Sequence, residues 1–93
     1  MRRTLLRTPA FARDLRKWLK SHPRSAASIA ATLEQLSADA VHPSLRTHKL
    51  SGSLAGCSAC SAGYDLRVVF EFTQSGNEEA ILLLALGTHD EVY

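Results

Sequence analysis

A chain of 93 residues and 10.2 kDa suits one small domain, 1–93, and its 45% hydrophobic and 22% charged composition excludes the charge-rich, apolar-poor regime of disordered proteins. The net charge of +2 conceals a polarised chain. Residues 1–50 carry ten Lys/Arg against three Asp/Glu, a surplus of +7, and residues 51–93 carry one against six, a balance of −5, an asymmetry that points to a polyanionic partner.

Thr4 to Arg7 reads as a short edge strand. Arg7 interrupts the Leu5-Leu6 pair, so Arg2 and Arg3 do not lead into the apolar core of a signal peptide, and a cytoplasmic protein is expected. Thr8-Pro9 starts a helix, with an N-cap hydroxyl followed by proline at the first helical position. Phe11, Leu15, Trp18 and Leu19 then fall on one helical face, while Arg13, Arg16, Lys17 and Lys20 make the outer face basic. Ser21-His22-Pro23 ends this helix, and Ala26, Ile29, Ala30, Leu33 and Leu36 mark a second, ending near Ala38, whose small residues let the pair pack as an antiparallel hairpin. Residues 39–47 read as irregular, because His42 precedes Pro43.

Three extended segments follow. His48 to Leu50 is the first, and Cys57 to Gly63 is a strand or a bulged loop. Tyr64 to Thr73 alternates cleanly, with Leu66, Val68, Phe70 and Phe72 on one face and Asp65, Arg67, Val69 and Glu71 on the other. Residues 74–78 form a hairpin turn, and Ala80 to Leu86 is apolar throughout, as in a central strand buried on both faces, yet far short of the roughly 20 residues that span a bilayer. His89 to Tyr93 is left as a short tail. The segregated order predicts an α+β domain: a two-helix hairpin packed on a small twisted antiparallel sheet of three to four strands, with the other sheet face free.

Four groups can carry chemistry. His48 stands in the basic stretch Arg46-Thr47-His48-Lys49-Leu50, and His89 follows a Gly-Thr turn at the end of the most apolar strand. Asp65 and Arg67, two apart on one strand, share a face about 7 Å apart, which also suits a simple ion pair. Cys57 and Cys60 are half of a zinc site with no second pair, consistent with packing in a reducing compartment; no metal or cofactor is expected. Together the histidines, the carboxylate and the guanidinium match what RNA strand cleavage needs: a base for the 2′-hydroxyl, cations for the phosphorane charge and an acid for the 5′-oxygen.

Three blocks carry a family resemblance: His42-Pro43-Ser44-Leu45-Arg46-Thr47-His48-Lys49-Leu50-Ser51-Gly52, Tyr64-Asp65-Leu66-Arg67-Val68-Val69-Phe70, and Leu86-Gly87-Thr88-His89-Asp90-Glu91-Val92-Tyr93. In this order they resemble the RelE/ParE superfamily of bacterial toxins, most closely its RelE/YafQ-like ribonuclease branch, over nearly the whole chain. The resemblance implies a microbial-RNase-type fold, cleavage of mRNA in the ribosomal A site, and a cognate antitoxin that wraps the toxin. It implies as catalytic residues His48, Asp65, Arg67, His89 and Tyr93: His48 or Asp65 as base, His89 as acid, Arg67 stabilising transition-state charge, and Tyr93 stacking on or orienting the RNA. Arg13, Arg16, Lys17, Lys20 and Arg24 are expected on ribosomal RNA, and Arg46 and Lys49 on the mRNA backbone.

Two positions depart from the branch. Ser61 stands where a second catalytic histidine is often found, and Leu83, Leu84 and Ala85 occupy the region of a frequent arginine. Two alternatives stay open: a ParE-type inhibitor of DNA gyrase with the same fold, against which His48, His89 and Tyr93 argue, and a degenerate toxin that only binds its antitoxin, which Ser61 keeps open.

Overall fold

The computed structural model describes residues 2–93. In chain order it contains β1 (Thr4–Arg7), α1 (Pro9–Ser21), α2 (Ala26–Ala38), β2 (His48–Lys49), β3 (Ser58–Gly63), β4 (Leu66–Ser75), β5 (Glu78–Gly87) and α3 (His89–Val92). Short 3-10 turns at Pro23–Ser25, Pro43–Leu45 and Gly52–Leu54 join them.

The helices pack on one face of a five-stranded sheet of order β1-β5-β4-β3-β2, larger than the three to four strands expected. The two edge strands are short, four and two residues long, and both extended segments read from the sequence at these positions join the sheet. The sheet is also not wholly antiparallel. β1 lies parallel to β5, with Leu5 opposite Ile81, because the chain leaves β1 through both helices and re-enters the sheet at its far edge.

Thr8 fixes the start of α1 in two directions. Its hydroxyl oxygen accepts from the Phe11 N–H at 3.1 Å, and the same hydroxyl donates to the Leu83 carbonyl at 2.8 Å, tying helix to sheet. At the end of α2, the Ser37 hydroxyl donates to the Arg3 carbonyl at 2.6 Å and the Arg3 N–H to the Ser37 carbonyl at 2.8 Å, which pins β1. Phe11 of α1 and Ile29, Leu33 and Leu36 of α2 close over Cys60, Leu66, Val68, Phe70, Ile81, Leu83 and Leu86 as one core. Burial pushes the Cys60 thiol up to about 12, so it is a packing group; Cys57, just outside β3, is a free thiol.

The apolar run in β5 is buried on one face only, since the helices cover one face and Leu82, Leu84 and Ala85 remain half-buried. A bulge explains its lack of alternation. Val69 pairs with Ala85 but Phe70 pairs with Leu83, which leaves Leu84 as an extra residue. Leu83 and Leu86 therefore both reach the core, while the small residues Ala85 and Gly87 turn to the open face. The β4–β5 hairpin is tighter than the five-residue turn expected: Ser75 pairs with Glu78 across Gly76-Asn77, and Gly76 supplies the positive φ of +63° that a two-residue hairpin favours. Among the described residues, no helix is long and apolar enough to cross a membrane.

Candidate active site

The open sheet face has a floor of small residues. His48 on β2 lies opposite Ala59, Ala59 opposite Val69, and Val69 opposite Ala85, so these four form one row across four strands on a common face. The next row is Ser61, Arg67 and Gly87. With alanine, serine and glycine on both sides, the two residues with reach, His48 and Arg67, stand above a low surface. The Gly87-Thr88 corner then brings α3 over the same end of the sheet.

α3 is only four residues long, yet it is fully capped. Thr88 accepts from the Glu91 N–H at 3.3 Å, and the Glu91 carboxylate accepts from the Thr88 N–H at 2.9 Å, a reciprocal capping box. Those bonds hold the Glu91 carboxyl below the usual carboxylate range, the Thr88 backbone contributing most and its hydroxyl next. Gly87 leaves room for this packing: a Cβ there would sit 3.1 Å from the Glu91 carboxylate and 3.3 Å from Val92. Residues 89–93, expected as a short tail, thus include a helix, and the threonine three residues before a glutamate is its start signal in the sequence.

This helix delivers His89 and Tyr93 to His48. The Tyr93 hydroxyl lies 3.4 Å from His48 Nε2, and the Tyr93 ring meets the His89 ring edge-on with centroids 4.6 Å apart. His48 Nδ1 lies 3.1 Å from the Arg46 carbonyl. A carbonyl only accepts, so Nδ1 carries the hydrogen, and in the neutral ring Nε2 is left with its lone pair toward Tyr93. The Tyr93 hydroxyl is raised above the usual phenol range, chiefly by burial, with the Arg67 charge pulling the other way; it stays protonated through neutral pH.

Asp65 is not on β4 with Arg67. It occupies the β3–β4 turn with φ +50°, a left-handed conformation that aspartate tolerates, and the strand begins only at Leu66. From there its Oδ1 accepts from the His89 N–H at 3.2 Å, bridging the turn to α3. The expected Asp65–Arg67 pair is therefore not formed; Arg67 donates to the Leu66 carbonyl at 3.2 Å, and its guanidinium makes no ion pair among the described residues. The Ser61 hydroxyl is turned back onto the Gly63 carbonyl at 3.2 Å.

The remaining basic residues fall elsewhere. Arg46 is exposed in a left-handed turn at φ +53°, beside a shallow cavity of about 630 Å³ that Ser61 and Tyr64 also line. Lys49 follows His48 on a two-residue strand and so points to the opposite face. Arg13, Arg16, Lys17 and Lys20 are exposed on α1, in the helical layer, with Arg24 just beyond it. None of these five forms an ion pair among the described residues.

A YafQ mutant structure from E. coli superposes with a TM-score of 0.81 at 15% identity, covering 98% of each chain. The toxin in the E. coli DinJ-YafQ toxin-antitoxin complex gives 0.79 at 16% identity, covering 100% of this chain and 99% of that one. A YoeB/ParE toxin from Agrobacterium tumefaciens gives 0.76 at 19% identity, covering 92% and 98%. No curated protein sequence matches. At these identities the structures establish the fold, and the family rests on a sequence model of the bacterial YafQ toxin of type II toxin-antitoxin systems, which matches residues 3–93. With that match over nearly its whole length, the chain belongs to the YafQ family of bacterial type II toxins.

Proposed function

We propose that this toxin is an endoribonuclease that cuts mRNA on the ribosome, without a cofactor, by attack of the 2′-hydroxyl on the adjacent phosphate. The observation that carries the reading is the convergence of His48, Tyr93 and His89 in one contact chain over the open face, with Arg67 in the neighbouring row. His48 Nε2, turned outward by the Arg46 carbonyl, takes the proton of the 2′-hydroxyl. The 2′-oxygen then bonds to phosphorus, the bond from phosphorus to the 5′-oxygen breaks, and protonated His89 returns a proton to that oxygen. The products are a 2′,3′-cyclic phosphate and a 5′-hydroxyl. Arg67, free of carboxylate partners, supplies the positive charge for the pentavalent phosphate, and Tyr93 is placed to orient the nucleotide between the two histidines.

We assign the base to His48, and give Asp65 a positioning role because its Oδ1 accepts from the His89 N–H. Asp65 then acts by holding α3. The solved DinJ-YafQ complexes support a cognate antitoxin as the second partner, and a toxin acting on ribosomes belongs in the cytoplasm.

Primer extension of cellular mRNA after induction tests the reading. Codon-phased cuts are expected from the natural sequence, with cleavage slowed by about 10²- to 10⁴-fold in His89→Ala. Intact mRNA together with gyrase-linked DNA breaks would instead assign the chain to the gyrase-directed toxins.

A further inference from the structure

A groove lies between α1 and α3, lined by none of His48, His89 and Tyr93. It is a space of about 620 Å³ between α1 and α3, floored by Ala85 and Leu86, and Asp14, Lys17, Trp18, His22, Thr88 and Glu91 form its walls. This volume falls within the range of small-molecule sites. Its polar groups are not all free. Asp14 Oδ2 accepts from the Leu86 N–H at 3.0 Å and Glu91 from the Thr88 N–H, so both carboxylates are engaged by backbone, whereas Lys17 is exposed.

One wall is a two-ring stack. His22 lies over Trp18 with centroids 3.9 Å apart and planes within 12° of parallel, and the imidazole Nδ1 is 3.3 Å from the Trp18 carbonyl, which sets its orientation. His22 is exposed, so the outer face of the stack is open. The Trp18 indole N–H, by contrast, is buried with no acceptor among the described residues. A ring placed here only to pack would be better as phenylalanine, which has no N–H to leave unpaired. What tryptophan adds is the largest stacking surface available to a side chain, on which His22 is held flat.

Around this stack runs the positive charge of α1, which forms no ion pair among the described residues. Arg13, Lys17 and Lys20 follow one another at i, i+4 and i+7, and Arg24 lies just past the helix. Aromatic planes beside a cationic track are what proteins use to hold single-stranded nucleic acid irrespective of sequence. We propose that the α1–α3 groove is a binding site for one unpaired RNA nucleobase, stacked on the outer face of His22 as the third plane of the Trp18–His22 stack, with Lys17 on its phosphate. This rests on the RNA-cleaving reading. Because α3 is the shared wall, its Glu91 face closes this groove while its His89 and Tyr93 ends serve the open face; a base bound here lies beside the cut without touching the reacting atoms.

Trp18 is the chain's one tryptophan, so its fluorescence reports on this groove alone. The test titrates His89→Ala toxin, which spares the RNA, with a short fluorescently labelled single-stranded RNA, reading binding by anisotropy and Trp18 emission in parallel. Expected results are quenching that saturates with binding, an affinity loss of roughly 5- to 150-fold on His22→Ala, and a salt dependence shallower by about one unit on Lys17→Ala. RNAs carrying one abasic ribose at successive positions should lose the quenching at a single position away from the cut. The same abasic series on programmed ribosomes separates mRNA from ribosomal RNA as the source of the base. RNA that fails to bind, binding without change in Trp18 emission, or an affinity indifferent to His22→Ala would overturn the proposal. Quenching by an apolar peptide but not by RNA would also overturn it and give the groove to a protein partner. Failure of the RNA-cleaving reading shows separately, as intact mRNA under the natural toxin in primer extension.

Discussion

Asp65 separates two kinds of role with one substitution. Asn keeps a carbonyl oxygen for the His89 N–H and tolerates the left-handed turn, but cannot take a proton. Asp65→Asn should therefore retain cleavage within about an order of magnitude, and Asp65→Ala should lose more; equal loss of 10²-fold or greater in both would make Asp65 the base. Arg67→Ala should lower the single-turnover cleavage rate by about 10²- to 10³-fold with little change in melting temperature, since the guanidinium makes one weak backbone contact and no ion pair. His48, His89 and Tyr93 each stand in a short motif whose residue types suit acid-base chemistry, and the fold brings the three side chains together. Asp65 was legible as a residue but not as a position. Strand alternation from Tyr64 runs two residues too far and places Asp65 on the face of Arg67, because a left-handed turn leaves no mark on hydrophobic periodicity.

At the scale of elements, the site depends on a helix too short to persist without its caps. Thr88→Ala removes a cap of about 1 kcal/mol. Faster amide exchange at Glu91 and Val92 is expected, and cleavage should fall by up to about tenfold as His89 and Tyr93 loosen. Acid should act on the same cap. The Glu91 carboxyl is lowered in the folded chain, so its support is complete above the unfolded value of about 4.3 and is lost only as pH falls through the lower folded one. Protection of α3 measured by amide exchange should be flat at neutral pH and decline only in acid, and Glu91→Gln, which can still accept in a capping box, should abolish that decline. α1 and α2 were readable from Thr8-Pro9, the Phe11 and Leu15 face and the Pro23 break, because they are long and amphipathic. β1 and β2 were too short for their pairing to be read, and the Leu84 bulge, which turns Ala85 and Gly87 to the open face, is invisible in an uninterrupted apolar run.

Over the whole molecule, the +7 surplus of the first 50 residues is divided between the helical layer and the two edge strands of the sheet. Four of the ten basic residues of that half, Arg13, Arg16, Lys17 and Lys20, lie exposed on α1 without ion-pair partners among the described residues, while the proposed cleavage residues gather on the opposite sheet face around Arg67. Ribosome binding should accordingly weaken steeply with salt, and charge reversal at Arg16 and Lys17 should weaken it further while flattening that dependence, as measured by pelleting across a salt series. The central claim, cleavage by 2′-hydroxyl attack, is tested most directly by primer extension on ribosomes programmed with two mRNAs that differ only by a 2′-deoxy ribose at the mapped cut. The natural mRNA should be cut at that position and the deoxy mRNA left whole there. Uncut natural mRNA, or equal cutting of both, would contradict the account.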